Sequence, residues 1–231
     1  MSGLVDFVFL IDGTGSMQPC MDALKKNITT FLDGLTGLQS PLRDWRGKVV
    51  TYRDQQVDVK RWYEDNPFVQ NDSSQLKTQL DLLEATGGGP PDESLLDALH
   101  KICQMDENEK SAQELNSKMW RYSSDAARVV IVFTDANYHT RMTYPQGANG
   151  TIDDLITEVL SNKIILMLFV PDSAAYERFD EIDKCQLHFI PQVGGSYVKG
   201  LEEFTNDQEN FKQVMIGLAR SVSVSVPTPK L

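Results

Sequence analysis

At 231 residues the chain is long enough to bury a full core, and 41% hydrophobic against 24% charged residues is a globular composition. Twenty-two basic and 33 acidic side chains leave a formal charge of −11. That balance argues against nucleic acid and anionic membranes as partners, since both attract clustered positive charge, and leaves cations and basic protein surfaces compatible.

Residues 4–11, "LVDFVFLI", form a nearly continuous apolar run bounded by Asp12-Gly13, the pattern of a strand buried on both faces. Helical spacing follows from Met17 to Leu35, with Gly37 just past its end. A second strand is expected at 47–54, "GKVVTYRD", and a weaker edge strand at 57–63. Serines in a capping position open a helix over 73–85, which "TGGGPP" (86–91) breaks. A helix with acids in its first turn is expected over 92–105, extending into a polar surface connection over 106–127. "RVVIVFTD" (128–135) repeats the opening theme, an apolar run ending in aspartate. A helix (151–162), a buried strand (163–170), a helix (174–183), a last strand (185–192) and a last helix (206–222) complete the series. Residues 1–222 read as one domain, and 223–231 as a tail or linker.

Strands alternating with helices imply an α/β fold: a three-layer, doubly wound, Rossmann-like, mostly parallel sheet with one antiparallel edge strand and helices on both faces. In such sheets ligands sit outside the carboxyl ends of the strands. Asp12 and Asp135 both follow apolar runs at such ends, so the two are expected to share one rim.

The loop "DGTGS" (12–16) can serve phosphate, nucleophilic or metal chemistry. A phosphate loop needs GxxxxGK[ST], but no lysine precedes Lys25, and a dinucleotide fingerprint fails for want of its glycines. Haloacid-dehalogenase-like phosphatases place an attacking aspartate where this chain has Leu10, and actin-like enzymes continue into a hairpin rather than a helix. Carboxylate and hydroxyl oxygens do suit a hard divalent cation such as Mg²⁺. Asp12, Thr14 and Ser16 alternate so that all three can converge across a tight loop, and Thr86 and Asp135 offer further oxygens from elsewhere on the rim. Asp12 as a simple helix cap is the plainer alternative.

"DGTGS", "ATGGGPPDE" and "VVIVFTDA", in that order, resemble the von Willebrand factor type A domain and its metal-ion-dependent adhesion site. "YRD" with "TGGG" looks most similar to intracellular members. The resemblance implies that Thr14 and Ser16 ligate the metal directly by their hydroxyls, that Asp12 and Asp135 act largely through bound waters, and that Thr86 acts directly or through water according to state. Thr14 stands where serine is commoner, and "PPDE" lacks the acid that relatives often place before the proline.

Three dispersed cysteines, Cys20, Cys103 and Cys185, form no disulfide framework or CxxC pair, so free thiols in a reducing compartment are expected. No stretch approaches membrane-spanning length, and a soluble, cytoplasmic protein is the expectation. Arg53 and Asp54 read as a structural pair, His139 and Tyr138 as rim-loop residues, Trp62 and Tyr63 as core packing, and His100 and His188 as core or near-core. The function expected is a non-enzymatic interaction module. It would hold Mg²⁺ or Mn²⁺ and bind an Asp or Glu side chain of a partner protein, as an adaptor in a multiprotein system. A metal-assisted hydrolase is the alternative, weakened by the lack of a paired general base.

Overall fold

A computed structural model describes residues 3–36, 42, 44–89, 92–145 and 148–225. The expected stop at Gly37, the prolines Pro90 and Pro91 and the tail from 226 lie outside the described residues.

The apolar opening run is strand β1, Leu4–Asp12, and a 3₁₀ turn, Gly15–Met17, leads into α1, Gln18–Thr36. β2 spans Asp44–Tyr52, followed by two short strands, β3 (Tyr63–Asp65) and β4 (Val69–Gln70), and by α2, Ser73–Asp81. β5 (Asp92–Glu93) precedes α3 (Leu95–Cys103), and β6 (Ala127–Phe133) precedes β7 (Asn137–Tyr138). Then come α4 (Ile152–Ser161), β8 (Ile164–Pro171), a 3₁₀ segment (Ala174–Glu181) and β9 (Gln186–Ile190). α5 (Tyr197–Asn206) and α6 (Gln208–Ser225) close the chain.

The main sheet has the order β3-β2-β1-β6-β8-β9, with β4 also paired to β2. β2, β1, β6, β8 and β9 run parallel, and β3 and β4 are antiparallel to β2. Side chains alternate across β1, so Phe7, Phe9 and Ile11 join a core with α1, α2, α5 and α6, while Val8 and Leu10 join one with α3 and α4. Because β1 leads to β2 on one side and lies against β6 on the other, a crevice opens between β1 and β6 at their carboxyl ends, where ligands sit in open α/β sheets. Asp12 and the residue after Phe133 meet there.

Local chemistry moves several expected boundaries. The edge strand falls at 63–65 and 69–70 rather than 57–63. Asp54 accepts Gln56 N through its carboxylate and Val57 N and Asp58 N through its carbonyl, which coils the segment and leaves Val57 and Val59 exposed. Asp72, not a serine, caps α2 by accepting Gln75 N, and the helix stops at Asp81. The helix expected at 92 starts at Leu95, because Asp92 and Glu93 pair in parallel with Asn137 and Tyr138. No helix extends over 104–126; that segment buries Trp120 and ties itself together through Asn108. α5 escapes a reading of periodicity because Gly200 interrupts it. A methyl group at Gly200 would overlap the Pro191 carbonyl oxygen, so glycine alone lets α5 lie against the end of β9.

This contact separates two helical glycines that propensity alone would treat alike. Gly200→Ala should destabilise the protein by about 1–3 kcal/mol through overpacking. Gly217→Ala in α6, where a Cβ meets nothing within 4 Å, should stabilise it by about 0.5–1 kcal/mol. Urea denaturation of the two variants checks the pair.

Candidate functional site

β1 ends by delivering Asp12 into the crevice, fully buried. Its Oδ1 accepts Thr14 N at 2.9 Å and Thr14 Oγ1 at 2.7 Å, and its Oδ2 accepts Thr134 Oγ1 at 2.8 Å. Thr14 Oγ1 lies 3.3 Å from Ser16 Oγ, and Ser16 and Asp135 line the same cleft. Asp12 therefore ties its own loop rather than capping α1. One chain of oxygens runs from Thr134 through Asp12 and Thr14 to Ser16, and Asp135 lies beside it in the cleft, so four of the five expected ligands come together.

Thr86 is held beside them by its backbone. Its N–H donates to Gly13 O at 2.9 Å, while its side chain is exposed and outside the hydrogen-bonded set. The glycines that follow dock closely: Gly15 N donates to Gly87 O at 3.4 Å, and a Cβ on Gly88 would sit 3.3 Å from Thr14 Cβ. Gly87 and Gly88 have φ of 78° and 99°, a backbone region that favours glycine.

Arg53 fastens these loops from below. Nε donates to Gly13 O (3.0 Å) and Thr86 O (2.9 Å), Nη1 to Arg61 O (2.9 Å) and Glu64 Oε2 (2.7 Å), and Nη2 to Glu84 O (3.1 Å). The expected Arg53–Asp54 pair is thus absent: Asp54 instead meets His139 Nε2 at 3.0 Å. Tyr138 is buried and its hydroxyl donates to Ala175 O, so neither it nor His139 is a free rim residue. His100 is near-core, with Nδ1 2.7 Å from Glu158 Oε2. His188 is exposed on β9 with its ring stacked on Phe169, because β9 is the outermost strand and leaves one side uncovered. Trp62 and Tyr63 are half-buried with Tyr144 and hold the Lys101 ammonium over their rings.

Residues 6–191 match the family model of the von Willebrand factor type A domain. The chain belongs to that family. No curated protein sequence matches it. Domains of this family are generally protein-interaction modules rather than enzymes.

In this von Willebrand factor type A domain the site is short of positive charge. Asp12 is pushed up to about 6 by burial and then by Asp135. Asp135 is raised by burial. Glu93, which lines the cleft beside Thr14 and Gly88, is pushed up to about 9 by burial and then by Asp12 and Asp54. Among the described residues none of the three carboxylates has an ion pair, and Asp135 Oδ2 and Glu93 Oε2 are buried with no hydrogen-bond partner. No group of three Asp, Glu, His or Cys side chains among the described residues could hold a metal by itself. Any ion would depend on the hydroxyls of Thr14 and Ser16, a hard-oxygen donor set. Sequence reasoning missed Glu93 because "PPDE" reads as a helix start; the signal was an acid seven residues after the threonine of the glycine loop.

Two consequences can be measured. Well below pH 3.8 Asp12 is protonated in folded and unfolded chains alike, so its burial costs nothing from ionisation. As pH rises from 3.8, the ordinary value for an aspartate, to about 6, cation-free protein should lose about 3 kcal/mol from this residue. Comparing urea midpoints of the wild type and Asp12→Asn in chelator across that range isolates the loss, which the variant should lack. Arg53→Met should cost about 3 kcal/mol or more by leaving buried carbonyls unpaired, and limited proteolysis should then cut the 84–89 loop faster.

Proposed function

We propose that this domain binds partner proteins through a divalent cation, Mg²⁺ or Mn²⁺, held by Asp12, Thr14, Ser16, Asp135 and Thr86. The single observation that carries this is the oxygen chain of the crevice, beside which Asp135 Oδ2 lies buried with nothing to satisfy it. Unpaired buried carboxylate oxygens are costly, and a cation is what would offset that cost here. When bound, the cation would supply positive charge for a carboxylate of the partner, an Asp or Glu side chain.

The chain's own residues prepare the place. Thr134 and Thr14 fix both oxygens of Asp12, and Arg53 keeps the glycine loop against Gly13 without spending its charge on the site carboxylates. The cleft over them, ≈ 410 Å³, is open and shallow, which suits one protruding side chain. An adaptor role in a multiprotein system follows from such a contact, and the free thiols Cys20, Cys103 and Cys185 fit a reducing cytoplasm.

Titration calorimetry tests the reading. Mg²⁺ or Mn²⁺ should bind saturably to the wild type, and Ser16→Ala should weaken binding at least tenfold. Affinity should rise from pH 5 to about 7, because the ion competes with the proton on Asp12. A wild-type chain that takes up neither cation across that range overturns it.

A further inference from the structure

The cleft over Asp135 does not end at Ser16. It opens onto a second, polar groove of ≈ 600 Å³ between α1 and α5, and Gly15, Ser16 and Val198 line both. One wall is a stripe of α1, Gln18, Asp22 and Lys26, spaced four apart and so on one face of the helix. The other is α5, which presents Glu202.

Asp22 and Glu202 are exposed, and neither has an ion pair among the described residues. Asp22 accepts one hydrogen bond, from Gln18 Nε2 at 3.0 Å. Lys26 lies one turn further along, so the part of the groove nearest the cleft is acidic. At the cleft end stand the buried, unpartnered Asp135 Oδ2 and Glu93 Oε2.

We infer that this groove receives the stretch of a partner protein that flanks its acidic residue, and that this stretch carries a lysine or arginine about three residues from the acid. The inference rests on the cation reading above. Its spacing comes from helix geometry. Asp22 follows Ser16 by six positions, about 9 Å at ~1.5 Å per residue, and extended chain covers that in about three residues at ~3.3 Å each. Its sign comes from charge complementarity: two unpaired carboxylates favour a cationic side chain, and the net charge of −11 draws a basic partner toward the domain from further away.

Two blocked hexapeptides provide the probe: glycines carrying an aspartate at position two, with lysine at position five in one and glutamate in the other. The ¹⁵N-labelled chain is titrated first with Mg²⁺ alone and then with each peptide at low ionic strength. Mg²⁺ should shift the Ser16 amide. The lysine peptide should then shift the amides of Asp22 and Glu202 and bind about fivefold tighter than the glutamate peptide. Asp22→Asn combined with Glu202→Gln should abolish that preference. If Mg²⁺ leaves Ser16 unmoved, the cation reading fails and this inference with it. If Mg²⁺ binds but the peptides do not, or bind equally, or keep their preference in the double variant, the groove assignment alone is overturned.

Discussion

The site stands on one buried guanidinium. Arg53 leaves the end of β2 and gives its N–H groups to Gly13, Arg61, Glu84 and Thr86 carbonyls and to Glu64. The four carbonyls belong to three loops with no regular structure of their own, and loops carry unpaired backbone groups that must find partners when buried. A planar fork with five donors meets that need at a single point, which a lysine ammonium cannot do with the same geometry. The glycines add the complementary constraint. A methyl group on Gly13 would lie 2.8 Å from Arg53 Cζ, so the loop can close over the guanidinium only where no side chain intervenes.

The two ends of β1 treat an aspartate in opposite ways. At the amino end Asp6, fully buried, is paired with Arg46 at 2.5 Å and Arg121 at 3.2 Å and also accepts Arg121 N at 2.7 Å. At the carboxyl end Asp12, equally buried, meets hydroxyls and one amide but no cation. The same strand therefore shows that this fold can neutralise a buried carboxylate with its own arginines. Where it does not, the carboxylates are left without a counter-charge of their own, and perturbed carboxylates gathered in a cleft are a common signature of function.

The layered α/β sheet was legible in the sequence because its strands are continuous apolar runs and its main helices keep a helical period. So was the sharing of one rim by Asp12 and Asp135, since strand ends in a parallel sheet face one way. What was not legible depended on contacts between distant segments. Glu93 joins the site through pairing of β5 with β7, two residues against two, a signal too short for any periodicity. α5 was hidden by Gly200, whose purpose appears only once Pro191 lies against it. The turn at 54–58 was missed because apolar Val57 and Val59 alternate with polar residues as a strand would, while Asp54 coils the backbone.

The β5–β7 pairing has a mechanical side. Asp92 and Glu93 follow the glycine loop, and Asn137 and Tyr138 follow Asp135, so two backbone segments more than forty residues apart are latched beside the crevice. His139 N closes the latch on Glu93 O at 3.1 Å. Tyr138 is anchored in turn to the 3₁₀ segment by its hydroxyl and by an edge-on contact with Tyr176. The two walls of the crevice are therefore joined by backbone, and through Tyr138 and Tyr176 that joint is set into the core on the α3 and α4 side of the sheet.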